Sequence, residues 1–209
     1  MNQKKKTKLT YNKILNAAIK EFGTHSYESA SVNSICSENK ISKGLVYHNF
    51  RNKDELYLRC VEVCFNEMTS YLCSVQYTSE NGKERIHKLL TIRQRFFHEN
   101  PLLGNIFFQT ILSPPRHLLH EIHALRKEFD EFHAAQYRDL LKNMELRDGI
   151  TPEMAIEYFF AFQEMFNGYY QNQARDEKDF ISLIKNHELH LMNVIDILLY
   201  GIAKEEPTL

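Results

Sequence analysis

The chain has 209 residues and a mass of 24.8 kDa, enough for one domain with a sizeable core or a small domain joined to a larger one, and it is expected to be a complete globular protein. Seven glycines and five prolines are about half the usual share, while 43% of residues are apolar and 25% charged, which argues against disorder and against a turn-rich all-β fold. The net charge of −1 conceals a division: Met1 to Cys60 carries 11 Lys/Arg against 5 Asp/Glu and the rest 15 against 22, so a basic head on an acidic body points to two different partners.

In chain order, Ile14, Ala18 and Phe22 recur at four-residue spacing beside Leu15 and Ile19, predicting a first helix from about Thr10 to Phe22 that stops at Gly23. Val32, Ile35 and Cys36 mark a short second helix, capped by Ser31 and closed near Asn39. Ser42 caps a third through Leu45 to Tyr47, and only Lys40 and Ile41 lie between the two, which makes a helix-turn-helix. Leu56, Cys60, Cys64, Met68 and Leu72 line one face of a long fourth helix, about Lys53 to Val75. Asn81-Gly82 predicts a loop, followed by helices from Lys83 to Glu99 and from Pro101 to Leu112. Ser113-Pro114 reads as a cap and first-turn proline opening a long helix with Leu118, Ile122, Leu125, Phe129, Phe132, Leu140 and Met144 inward, ended by Arg147-Asp148-Gly149. Thr151-Pro152 repeats that signal for a helix to Ala174, and a last helix carries Phe180, Ile184, Leu191, Ile195 and Leu198 to Gly201. The expected fold is all-α, about nine helices, with no strand alternation and no internal repeat.

The four cysteines, Cys36, Cys60, Cys64 and Cys73, form no CxxC pair and read as reduced thiols. Asn12, Lys13 and Asn16 interrupt any apolar core of a signal peptide, and the longest uncharged stretch, Asn100 to Pro115, is too short and too broken to span a bilayer. A cytoplasmic protein without a membrane partner is expected.

In a helix-turn-helix the second helix enters the major groove with its first residues toward base edges, while flanking groups hold phosphates. Ser42 and Lys43 are polar groups at the exposed start, and Gly44 lets the backbone approach the duplex. Tyr47 and His48 supply phosphate donors one turn later, and Lys53 opens the fourth helix, where free backbone N–H groups also suit a phosphate. Ser31 joins this set as the cap of the second helix. Lys4, Lys5, Lys6 and Lys8 either add non-specific attraction or enter the minor groove.

The run ILNAAIKEFG, then SVNSICSENKISKGLVYHNF, then NKDEL, within Ile14 to Leu56, resembles the N-terminal DNA-binding domain of the TetR family of transcriptional regulators. The resemblance implies a helical homodimer whose three-helix head binds double-stranded operator DNA, while a larger helical body holds an effector pocket and the dimer interface. It places phosphate contacts on Tyr47, His48 and Lys53 and base reading on Ser42, Lys43 and Gly44. The sequence departs from the family pattern at Asn39-Lys40, where Ala-Gly is frequent; a lysine in left-handed backbone there costs on the order of 1 kcal/mol. His25-Ser26-Tyr27 also replaces smaller residues. The expected division is residues 1–52 as the DNA-binding domain with its basic tail and 53–209 as the effector-binding and dimerisation domain.

In the body, Phe96, Phe107, Phe108, Phe129, Phe132 and Phe162 are candidate contacts for an apolar or aromatic small-molecule effector, or plain core. Phe159, Phe166, Gly168 and Tyr169, with Leu191 and Ile195 of the last helix, are candidates for a twofold interface, Gly168 either permitting close helix approach or kinking its helix. His117, His120 and His123 recur every three residues, so all three cannot converge on one ion from a single helix, and no metal is expected. Cys60 and Cys64 lie on the apolar face of the fourth helix and read as buried small hydrophobes. No phosphate loop, HExxH or nucleophile elbow proposes a reaction, so neither catalysis nor a cofactor is expected. The reading is a ligand-responsive transcriptional regulator, a repressor released from a palindromic operator by its effector. The alternative is a helical adaptor or enzyme whose head no longer reads DNA.

Overall fold

The computed structural model describes residues 3–75, 82–142, 144–174 and 179–202. Among these it contains nine α-helices: α1 (Gln3–Thr24), α2 (Val32–Asn39), α3 (Lys43–Asn49), α4 (Lys53–Cys73), α5 (Gly82–Glu99), α6 (Pro101–Leu112), α7 (Leu119–Leu141), α8 (Pro152–Ala174) and α9 (Phe180–Ile202). The all-α expectation holds. The predicted loop at Asn81-Gly82 lies partly outside the described residues, and Gly82 already belongs to α5.

Three boundaries differ from the sequence reading. α1 begins at Gln3, about two turns early, because Gln and Lys are good helix formers and the run meets no breaker before Thr10. The basic tail is therefore helical backbone; the side chains of Lys4, Lys5 and Lys6 lie outside the described residues, and Lys8 is exposed. Gly23 does not stop α1. A Cβ there would stand 2.8 Å from the carbonyl oxygen of Leu102, so this glycine is required by the close approach of α6. α7 does not open at Ser113-Pro114: Pro115 disfavours helical backbone at the residue before it, is itself extended (φ −59°, ψ 118°), and leads through a 3-10 turn, Arg116–Leu118, into α7 at Leu119. That helix closes at Leu141, before Met144.

The chain sorts into two compact units. The first comprises Met1–Met68, Phe96–Thr110 and Pro114–Lys127. Its core is built from Ile14, Ala18 and Phe22 of α1, Ile35 of α2, Val46 of α3 and Leu56, Tyr57 and Cys60 of α4, all buried. The last carbonyls of α1, which have no partner in their own helix, accept hydrogen bonds from α6: Asn105 Nδ2 donates to Gly23 O (2.8 Å) and Gln109 Nε2 to Phe22 O (3.3 Å). Phe97, Phe107 and Phe108 form a ring cluster with centroids 4.8 to 5.3 Å apart.

The second unit comprises Thr69–Arg95, Ile111–Ser113 and Glu128–Leu209. Ile86, Leu89 and Leu90 of α5, Tyr137 and Leu140 of α7, Phe166 and Tyr170 of α8, and Leu183, Leu191 and Ile195 of α9 are among its buried apolar residues. Arg93, Asn167 and His187 are buried with them, and Glu188 is part-buried. Arg93 pairs with Glu188, whose Oε1 lies 3.2 Å from His187 Nδ1, and His187 Nε2 lies 3.2 Å from Asn167 Oδ1.

Candidate nucleic-acid interface and effector cavity

The helix-turn-helix is held by caps at both ends of its turn. Ser31 Oγ accepts from Ser34 N (3.0 Å), and the buried Glu21 carboxylate accepts from Ser31 N (2.9 Å). Ser31 is thus a fully employed cap, with Ser34 Oγ a further 2.9 Å away. Lys40 stands at φ 53°, ψ 48°, the left-handed conformation the sequence pointed to, and Ile41 N then donates to Cys36 O (3.0 Å) to close α2. Ser42 Oγ accepts from Leu45 N (3.3 Å) and opens α3.

Val46 is the buried anchor of α3, flanked by buried Ile41 and Phe50. Every candidate base or phosphate contact on this helix is exposed: Ser42, Lys43, Gly44, Tyr47 and His48. A Cβ added at Gly44 would meet nothing within 4 Å, so the backbone is open to a duplex at that point. Tyr47 is 51% exposed, which separates it from the aromatic core.

The start of α4 is more occupied than expected. Asn52 Oδ1 accepts from Glu55 N (2.9 Å) and Glu55 Oε2 from Arg51 N (2.6 Å), a reciprocal cap that employs one of the amides a phosphate would otherwise meet. The Lys53 ammonium lies 4.4 Å from the centroid of the Tyr27 ring. Tyr27, one of the residues that depart from the family pattern, donates its hydroxyl to Asp54 Oδ1 and lies 3.4 Å from His117 Nε2. Burial first, and Asp54 second, push that hydroxyl well above the ordinary tyrosine range, so it stays a donor. No sequence signal announces contacts spanning 27 and 90 residues.

The second unit encloses a cavity of about 40 Å³. Leu89 and Leu90 of α5, Tyr137 of α7, Phe159 and Phe162 of α8 and Leu198 of α9 are among its apolar walls, and Arg93, His133, Gln136 and Gln163 supply its polar side. Of the six candidate effector phenylalanines, Phe162 lines this cavity. Phe129 and Phe132 flank its liner His133, with ring centroids 4.4 and 5.4 Å away. Phe96, Phe107 and Phe108 are buried in the first unit.

Among the interface candidates, Phe166, Leu191 and Ile195 are buried inside the second unit, and Phe159 stacks on Tyr137 with centroids 4.2 Å apart. Tyr169 is exposed, and a Cβ at Gly168 would meet nothing within 4 Å. Tyr158, on the same helix, is exposed as well, and the sequence reading missed the other exposed large apolar residues of these helices: Met165, Ile181, Leu189 and Ile197. Helical spacing alone does not say which apolar stripe faces inward when a helix carries two.

His117, His120 and His123 are exposed, and among the described residues no three His, Cys, Asp or Glu side chains are grouped to hold a metal ion. Cys60 and Cys64 are buried as expected, their thiols pushed far up by burial, and Cys64 Sγ lies 3.2 Å from Leu103 O. Among the described residues no helix is long and apolar enough to cross a membrane.

A capped helix-turn-helix whose second helix is exposed is the arrangement that DNA-binding heads present to the major groove. Residues 14–60 match the model of the bacterial regulatory proteins of the tetR family. The match covers the head alone, and there the chain is similar to the TetR family. It is 33% identical over 61 residues to the biofilm operon icaADBC HTH-type negative transcriptional regulator IcaR of Staphylococcus epidermidis, a match spanning 29% of this chain and 33% of that regulator's length. Among solved structures, a TetR family transcriptional regulator from Chloroflexus aurantiacus superposes with a TM-score of 0.59 at 18% identity, covering 95% of both chains. The regulator FadR of Bacillus subtilis, solved in complex with stearoyl-CoA, gives 0.62 at 15% identity, covering 87% of this chain and 97% of its own. At such identities what is shared is the fold.

Proposed function

We propose that this regulator is a ligand-responsive repressor that binds a palindromic operator as a homodimer in the cytoplasm and leaves it when a small apolar molecule enters the body. Residues 1–52 act as the DNA-binding domain and 53–209 as the effector-binding and dimerisation domain. One observation carries the reading: the whole outer face of α3, Ser42, Lys43, Gly44, Tyr47 and His48, is exposed, while Val46 alone anchors the helix to the core. Lys43 and Ser42 then read base edges, and Tyr47, His48 and Lys53 hold phosphates. The negative regulation named for the staphylococcal relative supports repression, and the acyl-CoA bound by FadR supports a small-molecule effector.

The cavity walled by Phe159, Phe162 and Tyr137 is the effector site, and effector binding acts on the head through α4, which directly follows it. The dimer forms through α8 and α9, with Gly168 and Tyr169 joined by Tyr158, Met165, Leu189 and Ile197. The test is selection of bound sites from a random duplex pool, repeated with Tyr47→Ala and Lys43→Ala. A palindromic site lost in both variants is the expected result. No enriched site at low salt would turn the assignment toward an adaptor with a silent head.

A further inference from the structure

We infer that the effector is an uncharged molecule with an apolar body and a hydrogen-bond-accepting oxygen, a ketone, ester or lactone rather than an acid or an amine; this rests on the reading of the second-unit cavity as the effector site.

The electrical state of the wall carries the argument. Arg93 is the one arginine, lysine or carboxylate among the lining residues, and it is only 5% exposed. Its charge is already matched. The Arg93 guanidinium pairs with Glu188, which is itself tied to His187, so the wall presents a closed ion pair and not a free cation. A carboxylate brought to Arg93 would also meet the Glu188 carboxylate, and displacing Glu188 would leave a charge buried without its partner. An ammonium would meet the guanidinium. Either charged ligand enters a low-dielectric space that offers no counter-charge, whereas a neutral one loses little on leaving water.

Beside the His133 imidazole, the remaining polar groups are uncharged and rich in donors. Gln136 accepts from Arg85 through Oε1 at 3.0 Å, which leaves its amide N–H groups as donors without a partner among the described residues. The Gln163 amide and the Tyr137 hydroxyl make no hydrogen bond among the described residues either. Burial pushes the Tyr137 hydroxyl up to about 12, so it donates throughout the physiological range. An apolar cavity with unused donors calls for a ligand with an acceptor. Its small volume calls for the half-buried rings of Phe159 and Phe162 to move aside as the ligand enters.

The test uses four probes of one shape: octan-2-one, octanoate, octylammonium and octane. The chain contains no tryptophan, so F162W places a single indole in the cavity wall. Titrations at pH 8, where ordinary imidazoles are neutral, follow the indole emission in the full-length F162W protein and the heat of binding in the native one. The ketone is expected to bind at least about tenfold tighter than octanoate or octylammonium, since an unmatched buried charge outweighs one ordinary hydrogen bond. It should also bind tighter than octane by roughly fivefold, the share of one hydrogen bond. E188Q frees the Arg93 charge and should move the preference toward octanoate by at least about tenfold. Should octanoate, octylammonium or octane match the ketone while the indole responds, the class is wrong and the effector site stands. Should heat evolve with no indole response, or no probe bind, the cavity is not the effector site and both readings fall. The ranking in the native protein decides the class even if E188Q does not fold.

Discussion

Tyr27 packs its ring under the Lys53 ammonium and gives its hydroxyl to Asp54, so it fixes the direction of a lysine assigned to phosphate. A half-exposed cation–π contact contributes about 0.5–1 kcal/mol. Tyr27→Ala should therefore weaken operator binding about threefold, while Tyr27→Phe, which keeps the ring, should leave affinity near the native value. In a Tyr27→Ala background, Lys53→Ala should cost less than it does alone, and equal costs in fluorescence anisotropy titrations would show that the two residues act independently. Lys40 offers a second test at this scale. Its left-handed backbone penalises any side chain, so Lys40→Gly should stabilise the fold by roughly 0.5–1 kcal/mol, about 2 °C in melting temperature for a chain of this size, with DNA binding retained. The cysteines give a third: Cys73 alone is exposed, and burial raises the Cys60 and Cys64 thiols, so an aromatic disulfide reagent should modify one thiol rapidly in the folded protein and four after denaturation. Rapid reaction of a second thiol would reopen a sensing role for that pair.

At the scale of elements, α5, α8 and α9 are joined by the chain Arg93, Glu188, His187 and Asn167, buried but for the part-buried Glu188. Burial lowers His187 below the ordinary histidine range, against the opposing pull of its Glu188 contact. Burial alone would raise Glu188, but the Arg93 charge and the His187 contact outweigh it and hold the carboxyl below its usual value. The unfolded chain thus takes up the His187 proton first as pH falls. The stability contributed by neutral His187 is complete above about pH 6.5 and declines below it. His187→Asn should lower the melting temperature most near pH 8, and the gap to the native protein should narrow toward pH 5; a gap independent of pH would mean the imidazole is not held neutral. None of this chain was legible in sequence, because its contacts between helices span 20 and 95 residues and a histidine on an apolar stripe carries no mark of its partner. The head was legible for the opposite reason. Ser31, Ser42, Val32, Ile35 and Val46 act within a few residues of one another, and caps and short stripes are local physics. The starts of α1 and α7 are local too, but there helix-forming lysines and a second proline outweigh the apolar spacing and the Ser113-Pro114 cap.

At the scale of the molecule, the proposed dimer explains why α8 and α9 carry apolar side chains on two faces. The inward face, with Phe166, Tyr170, Leu191 and Ile195, closes the second unit; the outward one leaves Met165 69%, Tyr169 58%, Leu189 62% and Ile197 70% exposed. Four large apolar groups left in water on adjoining helices forgo about 1.5–3 kcal/mol each, which burial against a second copy would recover. Twofold symmetry makes every such residue count twice. A single Met165→Glu therefore places two carboxylates in one desolvated seam, and sedimentation should show the dimer dissociating at concentrations at least about a hundredfold higher than for the native chain. The exposed position of Met165 means the monomer should keep its fold and its far-ultraviolet spectrum. Operator affinity should fall steeply while binding to a single half-site persists, since a palindrome is read by two heads held together and each head alone retains its α3 contacts. An unchanged dimer with Met165→Glu, paired with an unchanged dimer for Ile197→Glu, would move the interface off these helices and leave their outer face to another partner.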